Sequence, residues 1–225
     1  MSRRGHGAPS ARTRVRRIHE RGRYDREAID AVLDAAIIAH LGFVQDGQPF
    51  VIPTMHARVG DEVLVHGSSA SRAFRTMGQG IPACLTVTLL DGIVLARSVF
   101  EHSVNYRSVV VLGRATLVDD PAEKRAALQA LTDKLLPGRW QDARQPSRKE
   151  LKATAVLRLP LDEASAKIRD GGAEDGDTPD AELDVWAGQI PLVTRALAPV
   201  PDPDLRPDIP VPPYARRYRR PGLTA

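Results

Sequence analysis

The chain has 225 residues, 27% charged and 42% hydrophobic, the proportions of a water-exposed globular domain with enough length to bury a core. No apolar run approaches the ~20 residues that span a bilayer, the arginine-rich N-terminus lacks a signal peptide's apolar stretch, and a single cysteine, Cys84, excludes an internal disulfide. The net charge of +4 sits in the arms, since residues 1–24 carry +7, residues 198–225 carry +2, and the centre is left at −5. A nucleic-acid-binding domain would place that charge on its folded surface, so neither nucleic acid nor membrane is an expected partner, and the cytoplasm is the expected location.

Residues 1–24 read as a basic arm, disordered or extended. Asp25 is a good N-cap, and Ile29, Val32, Leu33 and Ala36 recur at helical spacing, which predicts a short helix ending near residue 36. Strand-like runs follow at 37–44, 50–59 and 63–66, separated by Asp46-Gly47 and Gly60-Asp61. A hairpin about Gly60-Asp61 pairs Arg58 with Val63 and His56 with Val65, which puts His66 on the face opposite His56. In 50–59 the apolar set Val51, Pro53, Met55, Ala57 and Val59 predicts one buried face, with Thr54, His56 and Arg58 on the other.

A short helix is expected at 71–77 and a longer one at 121–136, with Leu128, Leu131, Leu135 and Leu136 on one side. Residues 83–90 and 93–98 flank Asp91-Gly92, which reads as another turn, and 109–118 and 153–159 read as strands. Residues 162–169 have a helical look, 170–184 read as a mobile acidic loop, and 185–197 read as a return to the fold. The proline-rich tail from residue 198 suits an extended cover. The domain at 25–197 is thus mainly β, a barrel or sandwich with peripheral helices.

Three segments could carry chemistry. In Val65-His66-Gly67-Ser68-Ser69-Ala70-Ser71-Arg72 a strand ends in a hydroxyl-rich loop and a helix opens with arginine. Amide donors, hydroxyls and a guanidinium together can hold a phosphate, though an ordinary capped turn is the plainer reading. The polar face of 50–58 could line a ligand cleft. Asn105-Tyr106-Arg107-Ser108 leads into a buried strand, and its side chains could meet a ligand at the strand mouth. Histidines 40, 56, 66 and 102 show neither a helical pair nor a cysteine partner.

Taken in order, Gln48-Pro49-Phe50-Val51-Ile52-Pro53-Thr54, the segment from Val65 to Arg72, Leu90-Asp91-Gly92-Ile93-Val94-Leu95-Ala96-Arg97-Ser98 and Asn105-Tyr106-Arg107-Ser108-Val109 resemble the pyridoxamine 5′-phosphate oxidase-related, FMN-binding family. The nearest branch is that of the nitroimidazole-resistance-like flavoproteins, and the likeness spans about residues 20–160. It implies a split β-barrel homodimer with FMN between subunits. Pro53, Thr54 and His56 would face the flavin, His66, Ser71 and Arg72 would grip its phosphate, and Tyr106, Arg107 and Ser108 would approach from a neighbouring strand.

Two positions depart from the family pattern: Ala73 stands where a second basic residue is usual, and His56 replaces a basic residue on the earlier strand. The expectation is an FMN-dependent oxidoreductase acting with a small-molecule substrate or electron donor. A non-catalytic flavin-binding sensor, a deazaflavin enzyme on the same barrel and a haem-binding relative are the alternatives.

Overall fold

The computed structural model describes residues 8–219, so the extreme ends of both arms lie outside the described residues. Along the chain come β1 (Gly22–Arg23), α1 (Arg26–Ala35), β2 (Ile38–Gln45), β3 (Gln48–Val59), β4 (Glu62–Ser68), α2 (Arg72–Met77), β5 (Gln79–Leu95) and β6 (Ser103–Leu117). They are followed by α3 (Pro121–Leu135), α4 (Arg139–Asp142), α5 (Arg148–Ala153), β7 (Thr154–Pro160), β8 (Ala164–Arg169), β9 (Gly188–Pro191) and α6 (Pro213–Arg216). Among the described residues no helix is long and apolar enough to cross a membrane.

Turn chemistry sets the first registers. Asp46 and Gly47 both have positive φ, 51° and 76°, which a two-residue hairpin with the strands' own twist requires. The β3–β4 hairpin pairs His56 with Val65 and Arg58 with Val63, as the sequence predicts. From there every pairing is antiparallel: β2 lies between β3 and β5, β4 pairs with β7, and β5 with β6.

Strand β6 divides its other edge. Residues Tyr106 to Val111 pair with β8, whereas Thr116 and Leu117 pair with β7. That second contact closes a circuit through β5, β6, β7, β4, β3 and β2, and the division gives the split of a split β-barrel. Leu33, Leu41, Val63, Leu85, Val87, Val109, Val111 and Leu157 fill the interior with at most 1% of each exposed. Each such side chain contributes about 1.5–3 kcal/mol. A smaller layer of Leu64, Val118, Ala127 and Val156, with Leu128 against it, seats α3 on the outside of β4 and β7.

Four expectations need correction. Asp91-Gly92 is not a turn: β5 runs on to Leu95, and the ladder slips between Leu90 and Gly92 as a bulge. The cause is across the sheet, where Arg107 Nε and Nη2 each donate to the Asp91 carboxylate at 2.8 Å. Residues 162–169 are not helical. Strands on both sides, β6 and β1, recruit Ala164–Arg169 into the sheet, and pairing overrides local preference.

The acidic loop is anchored rather than free. Asp175 is wholly buried and accepts from the backbone N–H of Arg97 at 2.5 Å and of Ser98 at 3.2 Å, and from the Arg97 guanidinium at 3.1 Å. Lastly, β3 faces the other way. Phe50 and Ile52 pack on the core and His56 is fully buried, while Val51 is 67% exposed. The sheet's alternation makes this one decision for the whole strand.

The basic arm is also part of the fold from Ser10 onward. Ser10 Oγ donates to Glu163, the Val15 N–H donates to the Tyr24 hydroxyl at 2.8 Å, and β1 pairs with β8. At the other end β9 returns to pair with β5.

Candidate functional site

Two clefts contain the residues of interest, on opposite sides of the sheet. The larger has a volume of about 710 Å³ and lies under α3. Even-numbered residues of β4 face outward, so Leu64 meets α3 and His66 opens into the groove beyond it. Met55 of β3 lies beside His66, and Leu128, Leu131, Leu135, Leu136 and Trp140 form the opposite wall. Arg139, Arg144 and Glu150 stand at the groove as its charged residues.

The His66 imidazole makes no hydrogen bond among the described residues, and its Nδ1 is buried without a partner. Burial lowers its pKa below the usual 6.5, so the ring is neutral at pH 7 and carries a free lone pair. A neutral imidazole is a metal ligand. Arg144 is paired with Glu150 at 2.6 and 2.9 Å, so an apolar slot with one such ring and the Arg139 guanidinium beside it suits a flat hydrophobic ligand that has a ligatable metal and an anionic substituent. The tail borders this cleft: the Tyr214 hydroxyl donates to Asp142 Oδ2 at 2.6 Å and accepts from Arg139 Nη1 at 3.3 Å.

The second cleft, about 200 Å³, is lined by Phe43, Phe50 and Ile52 together with Ser71 and Arg72 at the start of α2. The Arg72 guanidinium lies 5.6 Å from the centre of the Phe50 ring, a cation–π distance, and has no carboxylate partner among the described residues. His66 does not join this pocket. The loop through Ser68 and Ser71 carries the chain around the strand end, so neighbours in sequence part in space.

What aims Arg72 is the packing of Phe74 on Gly67. A Cβ at Gly67 would lie 2.5 Å from the Phe74 ring. The expected result of Gly67→Ala is a loss of about 1–3 kcal/mol of stability, the scale of an overpacked core, read as a lower denaturant midpoint. An unchanged midpoint would show that Phe74 can move aside freely.

The remaining predicted residues divide by face. Pro53 is exposed opposite His40, and Tyr106 and Ser108 lie farther along the same outer surface, with Ser108 Oγ donating to the Lys167 carbonyl at 3.2 Å. Arg107 points the other way, to Asp91. Thr54 is half-buried and donates to the Met55 carbonyl at 3.2 Å.

His56 is an interior residue rather than a ligand-facing one. No part of it is exposed, and its Nε2 lies 3.0 Å from the Leu33 carbonyl at the end of α1.

Sequence reading passed over two groups. The α3 wall was recognised as an amphipathic stripe, but nothing local showed that it stands over His66. Arg169 was also missed. It is 4% exposed and donates to Asn105 Oδ1 at 2.6 Å, to the Gly171 carbonyl at 2.9 Å and to the Gly172 carbonyl at 2.7 Å. Asn105 donates onward to Gln189 at 2.8 Å, so one network, buried at Arg169 and Asn105, ties β6, β8, β9 and the acidic loop together.

Comparison with known proteins agrees with this architecture. The family model described as pyridoxamine 5′-phosphate oxidase matches residues 25–168. Flavocytochrome Anf3 from Azotobacter vinelandii is 46% identical, with a TM-score of 0.90 over 95% of this chain and 99% of that one. The FAD and haem binding protein from Mycobacterium smegmatis is 40% identical, with a TM-score of 0.83 over 87% and 96%. A protein from Bacteroides thetaiotaomicron named for 5-nitroimidazole antibiotic resistance is 19% identical, with a TM-score of 0.56 over 65% and 86%, and shares the fold. No curated protein matches. With the model spanning well over half of its length, the chain belongs to the pyridoxamine 5′-phosphate oxidase family.

Proposed function

We propose that this protein is a flavin- and haem-binding redox protein, with haem seated against His66 under α3 and a flavin nucleotide anchored by Ser71 and Arg72. The observation that carries the reading is the unpartnered His66 ring at the floor of a leucine-lined groove. Its support from relatives is that two chains at 40% identity or more are named for a flavin with a haem. Haem, when bound, supplies one-electron iron chemistry, and the flavin supplies one- and two-electron chemistry.

The chain's own residues do the rest. His66 offers a neutral nitrogen, the leucines and Trp140 exclude water, and Arg139 supplies positive charge for a carboxylate at the groove, Arg144 being paired with Glu150 at 2.6 and 2.9 Å. Arg72 supplies charge for a phosphate, and Phe50 holds its guanidinium in place.

The flavin reading includes a homodimer. Outside α3 the barrel leaves Val51, Val44, Ile38 and Leu90 between 49% and 67% exposed on one continuous face, beside Pro53, Tyr106 and Ser108. A patch of that kind marks an interaction surface, and a second copy of the chain is its proposed occupant. FMN, FAD and a deazaflavin all fit a phosphate anchored by Arg72, and chromatography of the flavin released on denaturation distinguishes them.

The test is the visible spectrum of the purified protein after incubation with haem and flavin. A Soret band together with flavin bands supports the reading. A protein that acquires only flavin bands has the flavin half alone, and one that acquires neither refutes it. Within the flavin half, Arg72→Ala should weaken flavin binding by about 1–3 kcal/mol, the value of a charge-assisted contact. Unchanged affinity in a fluorescence titration would remove Arg72 from the site.

A further inference from the structure

The N-terminal arm forms an open cavity of its own, about 680 Å³, that shares no residue with the two clefts above. Arg14, Arg16 and His19 line it together with Val15, Tyr24 and two alanines, and the His19 ring stands 3.4 Å from the Glu20 carboxylate. Among the arm's other described arginines, three are engaged and the Arg17 side chain makes no hydrogen bond or ion pair. Arg12 reaches Glu163 at 3.9 Å, Arg21 pairs with Glu174, and Arg23 donates to the carbonyls of Glu20 at 2.6 Å and Gly22 at 3.0 Å.

Arg14 and Arg16, in contrast, make no hydrogen bond or ion pair among the described residues. The segment that carries them is nevertheless ordered. Thr13 is 4% exposed, and Ser10, Tyr24 and Lys167 pin the loop through Glu163, the Val15 N–H and the Arg17 carbonyl. Ile18, between the lining residues Arg16 and His19 in sequence, is held at φ 52°, a conformation that β-branched residues avoid and that accumulates at ligand clamps.

We propose that this cavity binds the adenosine diphosphate group of a dinucleotide. Two guanidiniums without acidic partners suit a diphosphate, and Tyr24 with Val15 offers an apolar wall to a flat base. The volume falls within the range of small-ligand pockets. The site also borders the proposed flavin face. Lys167, which donates to the Arg17 carbonyl at 3.0 Å, sits opposite Ser108 in the β6–β8 ladder. The group can therefore come from FAD, whose flavin end would lie on that face with the diphosphate held here in place of Arg72, or from a separate nicotinamide dinucleotide. The site does not depend on haem in the α3 groove.

Calorimetric titration of the full chain with ADP and with pyrophosphate tests the proposal, on wild type and on the Arg14→Ala/Arg16→Ala double variant. Both arginines are exposed and unbonded, so the variant keeps the wild-type melting curve. The expected result is saturable ADP binding, weakened about tenfold or more in the variant, as loss of a charge-assisted contact implies. Pyrophosphate should bind measurably but more weakly than ADP. No ADP binding, or identical binding by the variant, overturns the proposal, and pyrophosphate binding as tightly as ADP overturns its nucleoside part.

The source follows from two further titrations. If the double variant loses FAD affinity but keeps FMN affinity, the site holds the adenylate end of the flavin. If it loses affinity for a nicotinamide dinucleotide with FAD unchanged, the site holds a separate nucleotide. Should the protein bind no flavin at all, the ADP titration still decides this site on its own.

Discussion

Replacing His66 with glycine should abolish stable haem binding while leaving the barrel folded. His66 sits near the end of β4 with its ring in the α3 groove, and no hydrogen bond depends on it among the described residues. Its removal therefore costs the fold little beyond the strand penalty of glycine, under about 1 kcal/mol. For haem the loss is larger. Groups that merely orient a metal ligand are worth about 10–100-fold in affinity, and removal of the ligand itself should exceed that.

The leucine wall would still attract a porphyrin, so absence of the iron ligand, not of the slot, is what the variant isolates. Trp140 lies in the groove and provides a readout. Haem should quench wild-type fluorescence saturably, with a far weaker response in the variant, whose circular dichroism stays that of the wild type. Added imidazole should enter the vacated space and restore the Soret band. A variant with wild-type haem affinity and spectrum would show that iron takes its ligand elsewhere.

Much of the barrel is legible from turns. Asp46-Gly47 and Gly60-Asp61 set two hairpin registers, and from the second it follows that His56 and His66 lie on opposite faces, as the structure has it. Sequence alone leaves open which of those faces is inside. The apolar run Val51, Pro53, Met55 reads as the buried one, yet it is the outer face, part covered by α3 and part left for another surface. Burial by α3 depends on residues about seventy positions later in the chain, so strand periodicity is blind to it.

The same limit explains the site. Contiguity groups His66 with Ser71 and Arg72, because a phosphate loop is a local motif. Strand alternation then sends His66 to the α3 side, and the loop carries Arg72 to the Phe50 side. Asp91-Gly92 fails as a turn for a related reason. Its local composition suits a hairpin, but Arg107 on the neighbouring strand holds the aspartate in the sheet. Local signals locate elements well here, whereas partners distant in sequence decide which face becomes a site.

The second large effect expected is an acid-side loss of stability centred on His56. Burial is the main cause that lowers its pKa from 6.5 to about 4. The Leu33 carbonyl, which accepts from Nε2, works against that shift, and the nearby Lys134 ammonium works with it. Lys134 itself donates to the Leu33 carbonyl at 3.0 Å and to that of Asp34, so α1, α3 and β3 meet at this one point. In the unfolded chain the ring takes up a proton near pH 6.5, and in the fold it does so only near pH 4. Between those values unfolding binds a proton, so the folded state loses ground as pH falls. The stabilisation is complete above 6.5, declines through the window and is gone below 4. At 1.36 kcal/mol per pH unit the loss is about 3 kcal/mol. His66, lowered in the same direction, adds to it in the haem-free protein. Urea denaturation at intervals from pH 7.5 to 4 measures the slope. His56→Gln keeps an N–H donor for the Leu33 carbonyl and removes the titration, so its stability should vary less with pH than that of the wild type. A wild-type midpoint that stays level across the window would mean that His56 is charged in the fold, with Leu33 and its neighbours compensating the proton.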